Sequence, residues 1–88
     1  MAADIRVRVT VRFFAAARAA AGVESETIDL PTGATMDDLV RTLNARGKAL
    51  ASVLARCSYL RDGVAVRDLA VELGDAQTVD VLPPFAGG

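Results

Sequence analysis

From Ile5 to Phe13 the chain alternates without a break: Ile5, Val7, Val9, Val11 and Phe13 fall on one side of a period of two, and Arg6, Arg8, Thr10 and Arg12 on the other. A helix at 3.6 residues per turn would scatter those five apolar side chains around its axis. The segment is therefore a half-buried strand, and whatever the chain folds into must hold a sheet with one dry face and one wet face. The arginines read as the solvated face. With no aromatic residues interleaved and acidic residues balancing them elsewhere, they are a poor phosphate-binding stripe.

The segments that follow carry equally local signals. Ala15 to Ala21 favours helix by propensity, and Gly22 can close it in the left-handed conformation. Glu24 to Leu30, with Ile28 and Leu30 two apart, predicts a second strand pairing with the first in hairpin-like fashion, ended by the turn Pro31-Thr32-Gly33. Thr35 and Asp38 form a capping box with aspartate in place of the usual glutamate. Met36, Leu39, Val40 and Leu43 then recur at helical spacing, which predicts the main helix, running to about Gly47. Asp37 and Asp38 sit in its first turn, where carboxylates favour the helix dipole, and they read as structural rather than as a catalytic or metal-binding pair. Ala49 to Arg56 continues with weaker helical character. Tyr59-Leu60 and Val64-Ala65-Val66 flank Arg61-Asp62-Gly63, an Asp-Gly hairpin signal. The last strand is expected at Thr78 to Leu82.

An order of strand, strand, helix, strand and final strand in 88 residues predicts one α+β domain with a β-grasp, or ubiquitin-like, fold: a mixed sheet over one main helix, spanning residues 1–83, with an extended tail over 84–88. In that architecture the first and last strands lie parallel and adjacent in the middle of the sheet, so their carboxyl ends meet at one edge. Phe14 and Leu82 become neighbours. By parity Phe14 falls on the arginine face, and Leu82 falls with Asp80, opposite Val79 and Val81. Two apolar side chains on a face meant for water, with Phe85 just beyond, mark an expected docking surface. The plainer alternative is that Phe14 covers the short helix.

Composition removes several classes of function. Ten basic and eleven acidic residues leave a net charge of −1, with no general attraction for nucleic acid or an anionic membrane. Cys57 is the only cysteine and histidine is absent, so no internal disulfide forms and the usual nitrogen-and-sulfur metal sets are missing. Neither a signal peptide nor a membrane span is expected, and the chain reads as cytoplasmic. No phosphate loop and no nucleophile with a neighbouring base stands out, and Cys57 reads as a packing residue.

One chemical group remains, the C-terminal carboxylate. It ends the stretch Pro83-Pro84-Phe85-Ala86-Gly87-Gly88. The prolines hold the chain extended. Five residues from Pro84 to Gly88 reach about 17 Å, and glycines without Cβ can thread a channel that side chains would block. A carboxylate is a poor acyl donor, so its use requires activation, for example as an acyl-adenylate made from ATP by a separate protein.

Val11-Arg12-Phe13-Phe14-Ala15-Ala16-Ala17-Arg18, the following Gly22, the turn and capped helix from Pro31 to Leu43, and the ending Leu82-Pro83-Pro84-Phe85-Ala86-Gly87-Gly88 resemble the MoaD/ThiS sulfur-carrier family over nearly the whole chain. The Phe-Phe-Ala opening and the Pro-Pro before the diglycine are most similar to its molybdopterin synthase branch. The resemblance implies that Gly88 is adenylated by a ubiquitin-activating-type enzyme, converted to a thiocarboxylate and inserted into a large synthase subunit, where it gives sulfur to cyclic pyranopterin monophosphate. It also implies a heterotetramer with that subunit, docking through Phe14, Leu82, Pro83, Pro84, Phe85, Ala86 and Gly87, and no cofactor bound by this chain. A carrier for thiazole or cysteine synthesis, a ubiquitin-like modifier and a non-enzymatic adaptor stay open beside it.

Overall fold

The computed structural model describes residues 6–84. Ile5, Phe85, Ala86, Gly87 and Gly88 lie outside the described residues. The alternating segment forms β1 (Arg6–Phe13), with every second side chain buried. α1 (Ala15–Ala21) follows and is closed by Gly22 at φ 81°, whose N–H donates to the Arg18 carbonyl at 2.9 Å. β2 (Ser25–Pro31) runs antiparallel to β1, from Arg6 opposite Pro31 to Arg12 opposite Ser25. The two strands pair as expected, although α1 rather than a tight turn joins them.

α2 (Met36–Asn44) starts on the predicted capping box: Thr35 accepts from the Asp38 N–H, and the Asp38 carboxylate accepts from the Thr35 N–H at 2.9 Å. The helix ends at Asn44, earlier than the expected Gly47. The reason lies in the closing hydrogen bonds, which tighten to three-residue spacing, from Arg46 to Leu43 and from Gly47 to Asn44. A separate helix then begins, α3 (Lys48–Leu54), which buries Leu50 and Leu54. The weakly helical stretch is thus a second member of the helical layer, and the layer holds more than one main helix. β3 (Ser58–Arg61) and β4 (Val64–Ala65) form the Asp-Gly hairpin. Both loop residues have positive φ, 48° at Asp62 and 81° at Gly63, the pairing that matches strand twist. β5 spans Thr78–Leu82, as expected.

The described strands form one sheet in the order β2-β1-β5-β3-β4, with β1 and β5 parallel at its centre and the other pairs antiparallel. Val9, Val11, Phe13, Val79 and Val81 from the central strands meet Met36, Leu39, Leu43, Leu50 and Leu54 from the helices. This is a β-grasp, ubiquitin-like fold. Among the described residues no helix is long and apolar enough to cross a membrane.

The loop from Val66 to Gln77 carries no periodic signal in the sequence, yet it completes the start of α2. The Met36 and Asp37 N–H groups donate to the carbonyls of Val71 and Leu69, both at 2.9 Å, and the Leu73 N–H donates to the Ala34 carbonyl. With Asp38 bonded to Thr35, the free donors of the helix N-terminus are accounted for.

Candidate functional site

Among the described residues the helical layer covers one face of the sheet, and the other face carries the outward residues of β1, β5 and β3. Register places them in rows. Arg12 stands beside Asp80, which stands opposite Leu60. In the next row Leu82 stands opposite Ser58, and the Phe14 N–H donates to the Val81 carbonyl at 3.2 Å, which brings Phe14 beside Leu82. The carboxyl ends of the two central strands therefore meet as expected. Phe14 stays 38% exposed, with the Arg12 guanidinium 5.6 Å from its ring centre. Its ring lies against the arginine face.

The structure adds a further member to this face, Leu60, and a pairing for Asp80. Leu60 is half-buried between Asp80 and Ala65. Period two counted from the buried Tyr59 would have found it. Asp80, assigned to the wet side, is on that side but only 7% exposed, because Arg12 lies over it in a two-point ion pair, Nε to Oδ1 at 2.6 Å and Nη2 to Oδ2 at 2.8 Å. These bonds hold the Arg12 guanidinium above its ordinary pKa. The arginine row is thus partly an ion-paired one; Arg8 makes a single, exposed bond from Nε to Asp29 at 3.0 Å.

β5 ends at Leu82 and hands the chain to Pro83 and Pro84. Pro83 is half-buried and Pro84 exposed, beside a groove of about 440 Å³ lined also by Ala16, Val53 and Arg56. Pro83 thus still packs on the domain, beside α1 and α3. The remaining expected site residues, Phe85, Ala86, Gly87 and Gly88, lie outside the described residues.

Ala15 occupies φ 50°, the left-handed region that a residue with a Cβ seldom enters. It takes up the sharp turn from extended Phe14 into α1. Cys57 packs partly buried against the core, its Sγ 3.2 Å from the Val53 carbonyl, and burial pushes its thiol pKa up. That is the opposite of what an activated thiolate needs. Among the described residues no cluster of three or more His, Cys, Asp or Glu side chains is spaced to hold a metal. The candidate site is the open face together with Pro83 and Pro84, where β5 hands on the chain.

The ThiS family model matches residues 11–88. The molybdopterin synthase sulfur carrier subunit of Chlamydomonas reinhardtii is 35% identical over 83 residues, 93% of this chain and 100% of that protein. The Haloferax volcanii HVO 2177 protein superposes with a TM-score of 0.82 at 31% identity, covering 94% of this chain and 88% of that one. The small archaeal modifier protein 1 of Methanosarcina acetivorans shares the fold, with a TM-score of 0.79 at 24% identity over 94% of this chain and 98% of its own. The matched span runs from the second half of β1 through both central strands to the diglycine, the parts that build the open face and the tail, and on that ground the chain belongs to the ThiS family.

Proposed function

We propose that this chain is a sulfur carrier, the small subunit of a molybdopterin synthase, and that the Gly88 carboxylate is its working group. The observation that supports the reading most is the likeness, at 35% identity over the full length of the relative, to a protein named as a molybdopterin synthase sulfur carrier subunit. In this reading a separate activating enzyme joins the Gly88 carboxylate to AMP from ATP with release of pyrophosphate. Sulfide-level sulfur from a donor then attacks the acyl carbon, AMP leaves, and a thiocarboxylate remains. The large synthase subunit takes up the tail, the thiocarboxylate sulfur bonds to cyclic pyranopterin monophosphate, and water cleaves the acyl–sulfur bond, leaving sulfur on the pterin and returning the Gly88 carboxylate. Catalytic side chains belong to the partners, and this chain supplies a docking face and a narrow reach.

The geometry is consistent with that division of labour. Phe14, Leu60 and Leu82 lie together at the end of the sheet from which the tail departs. A partner seated on this face receives the tail at a fixed origin, and Pro83, Pro84, Phe85, Ala86 and Gly87 carry Gly88 into it. Proline limits the directions the tail can take.

The test is the intact mass of the full chain after incubation with its activating enzyme, ATP and a sulfur donor. Replacement of one terminal oxygen by sulfur is expected, with later loss of that sulfur when the large subunit and the pterin substrate are added. Gly88 joined to lysines in high-mass conjugates, with no thiocarboxylate consumed by the synthase, would identify a modifier instead.

A further inference from the structure

Asp80 is the buried charged residue of the described chain, and its position is unusual for one: the middle of the open face, in the row between Arg12 and Leu60. Each of its carboxylate oxygens accepts one bond from Arg12. Those bonds use two of the five guanidinium N–H groups, and the others make no hydrogen bond among the described residues, on a side chain that is 52% exposed. The pair is neutral as a unit. Around it stand Leu60, Leu82 and the ring of Phe14, over which Arg12 lies.

Any protein that covers this face strips water from the outward edge of the guanidinium. A wholly apolar partner would leave those donors unmet, which is expensive for a charged group. A carboxylate would satisfy them but would set a second negative charge beside a pair already neutralised by Asp80. A carbonyl oxygen meets the donors and brings no net charge.

We propose that Arg12 determines the specificity of the docking face, and that the partner protein carries an uncharged hydrogen-bond acceptor, a carbonyl oxygen, opposite the outward edge of Arg12 within an otherwise apolar surface. The proposal rests on the sulfur-carrier reading for the identity of the partner, the large synthase subunit. It extends that reading by naming what the partner must present.

The sign of one substitution decides. Replacing a buried ion pair by apolar residues is commonly neutral or favourable when nothing else depends on it. It is unfavourable when an acceptor across the interface loses its donor. The experiment measures dissociation constants of the full chain and the large subunit by calorimetry, for wild type, for Arg12→Leu with Asp80→Leu, and for Leu82→Asp. The double variant is expected to bind about tenfold or more weakly. Equal or tighter binding overturns the proposal. If the double variant does not fold, the exchanged pair Arg12→Asp with Asp80→Arg keeps the ion pair but moves the donors one strand across, about 4.8 Å. It too should lose about tenfold or more, and unchanged binding again overturns the assignment. The fall in affinity from low to high salt should be the same for wild type and for the double variant, whereas a steeper fall for wild type would place a carboxylate opposite Arg12 and overturn the uncharged acceptor. Leu82→Asp separates the two levels. If it binds like wild type, the docking face is wrong and this proposal falls with it. If it fails to bind while the double variant binds normally, the face stands and the role of Arg12 is lost.

Discussion

Cys57 and Tyr59 sit two residues apart at the join of α3 and β3, and both report burial through their acidity. The Tyr59 hydroxyl donates to the Leu54 carbonyl at 3.2 Å, satisfying one of the last acceptors of α3, and burial, with Cys57 adding to it, pushes the phenol up to about 12. Because the folded pKa is raised above the unfolded value of about 10, the stability that Tyr59 contributes is fully present below pH about 10. It is lost as pH rises through 12. This is the chain's single tyrosine, so phenolate absorbance should titrate near 12 in the folded protein and near 10 in urea. A folded-state value near 10 would contradict the buried hydrogen bond. Cys57 allows a parallel test, since its raised pKa and partial burial should make labelling by a neutral alkylating reagent at pH 8 slower in the folded chain than in the unfolded one. Cys57→Ala should leave sulfur transfer intact, and loss of transfer by a folded variant would reveal a thiol with a chemical role.

At the level of elements, the turn from β1 into α1 is the place where local preference and the fold disagree. Ala15 is a good helix former by type, and at an ordinary helical position Ala→Gly costs about 1 kcal/mol. Its φ of 50° reverses the expectation, because glycine enters that region without the Cβ penalty. Ala15→Gly should therefore raise the unfolding free energy by up to about 1 kcal/mol, seen as a higher urea midpoint, while the control Ala19→Gly on the exposed side of α1 lowers it. A loss at both positions would show that Ala15 carries no strain. The start of α2 makes the opposite case, with sequence signal and structure in agreement. Thr35→Ala should cost about 1 kcal/mol in chemical denaturation. The Asp38 carboxyl is held below the usual carboxylate range by the Thr35 N–H first, so its contribution is present above about pH 4 and fades as acid protonates it.

For the whole molecule the organising fact is the parallel pairing of the first and last strands, which brings the Phe-Phe opening to the root of the tail. Folding and sulfur chemistry should then separate cleanly. Removing Gly88, or extending the chain past it, is expected to leave the melting temperature within about 1 °C, since the core is built from residues of the sheet and helices. The same changes should abolish ATP-dependent activation, measured as pyrophosphate release with the activating enzyme. Gly87→Ala tests the channel, because a methyl in a narrow passage displaces the reacting carboxyl, and a small displacement from attack geometry is enough to slow the reaction severely. A chain lacking Gly88 that still supports thiocarboxylate formation would overturn the assignment of the terminus.

Much of this architecture was written locally. Period two in Ile5–Phe13, the Thr35–Asp38 box, Gly22 after the alanine run and Asp62-Gly63 each specify their element within a few residues, because sterics and backbone hydrogen bonding act over about one turn. The residue types of the tail were likewise plain from the sequence, as was the parity that sets Phe14 and Leu82 on the open face. Other features depended on tertiary structure. The carbonyls of Leu69 and Val71 come to the start of α2 from a loop with no period. The Arg12–Asp80 pair joins residues 68 positions apart. An interaction at that separation leaves no periodic trace along the chain. It exists only because two strands that are locally indifferent to each other are forced into register by the shared burial of Val11 with Val79 and Phe13 with Val81.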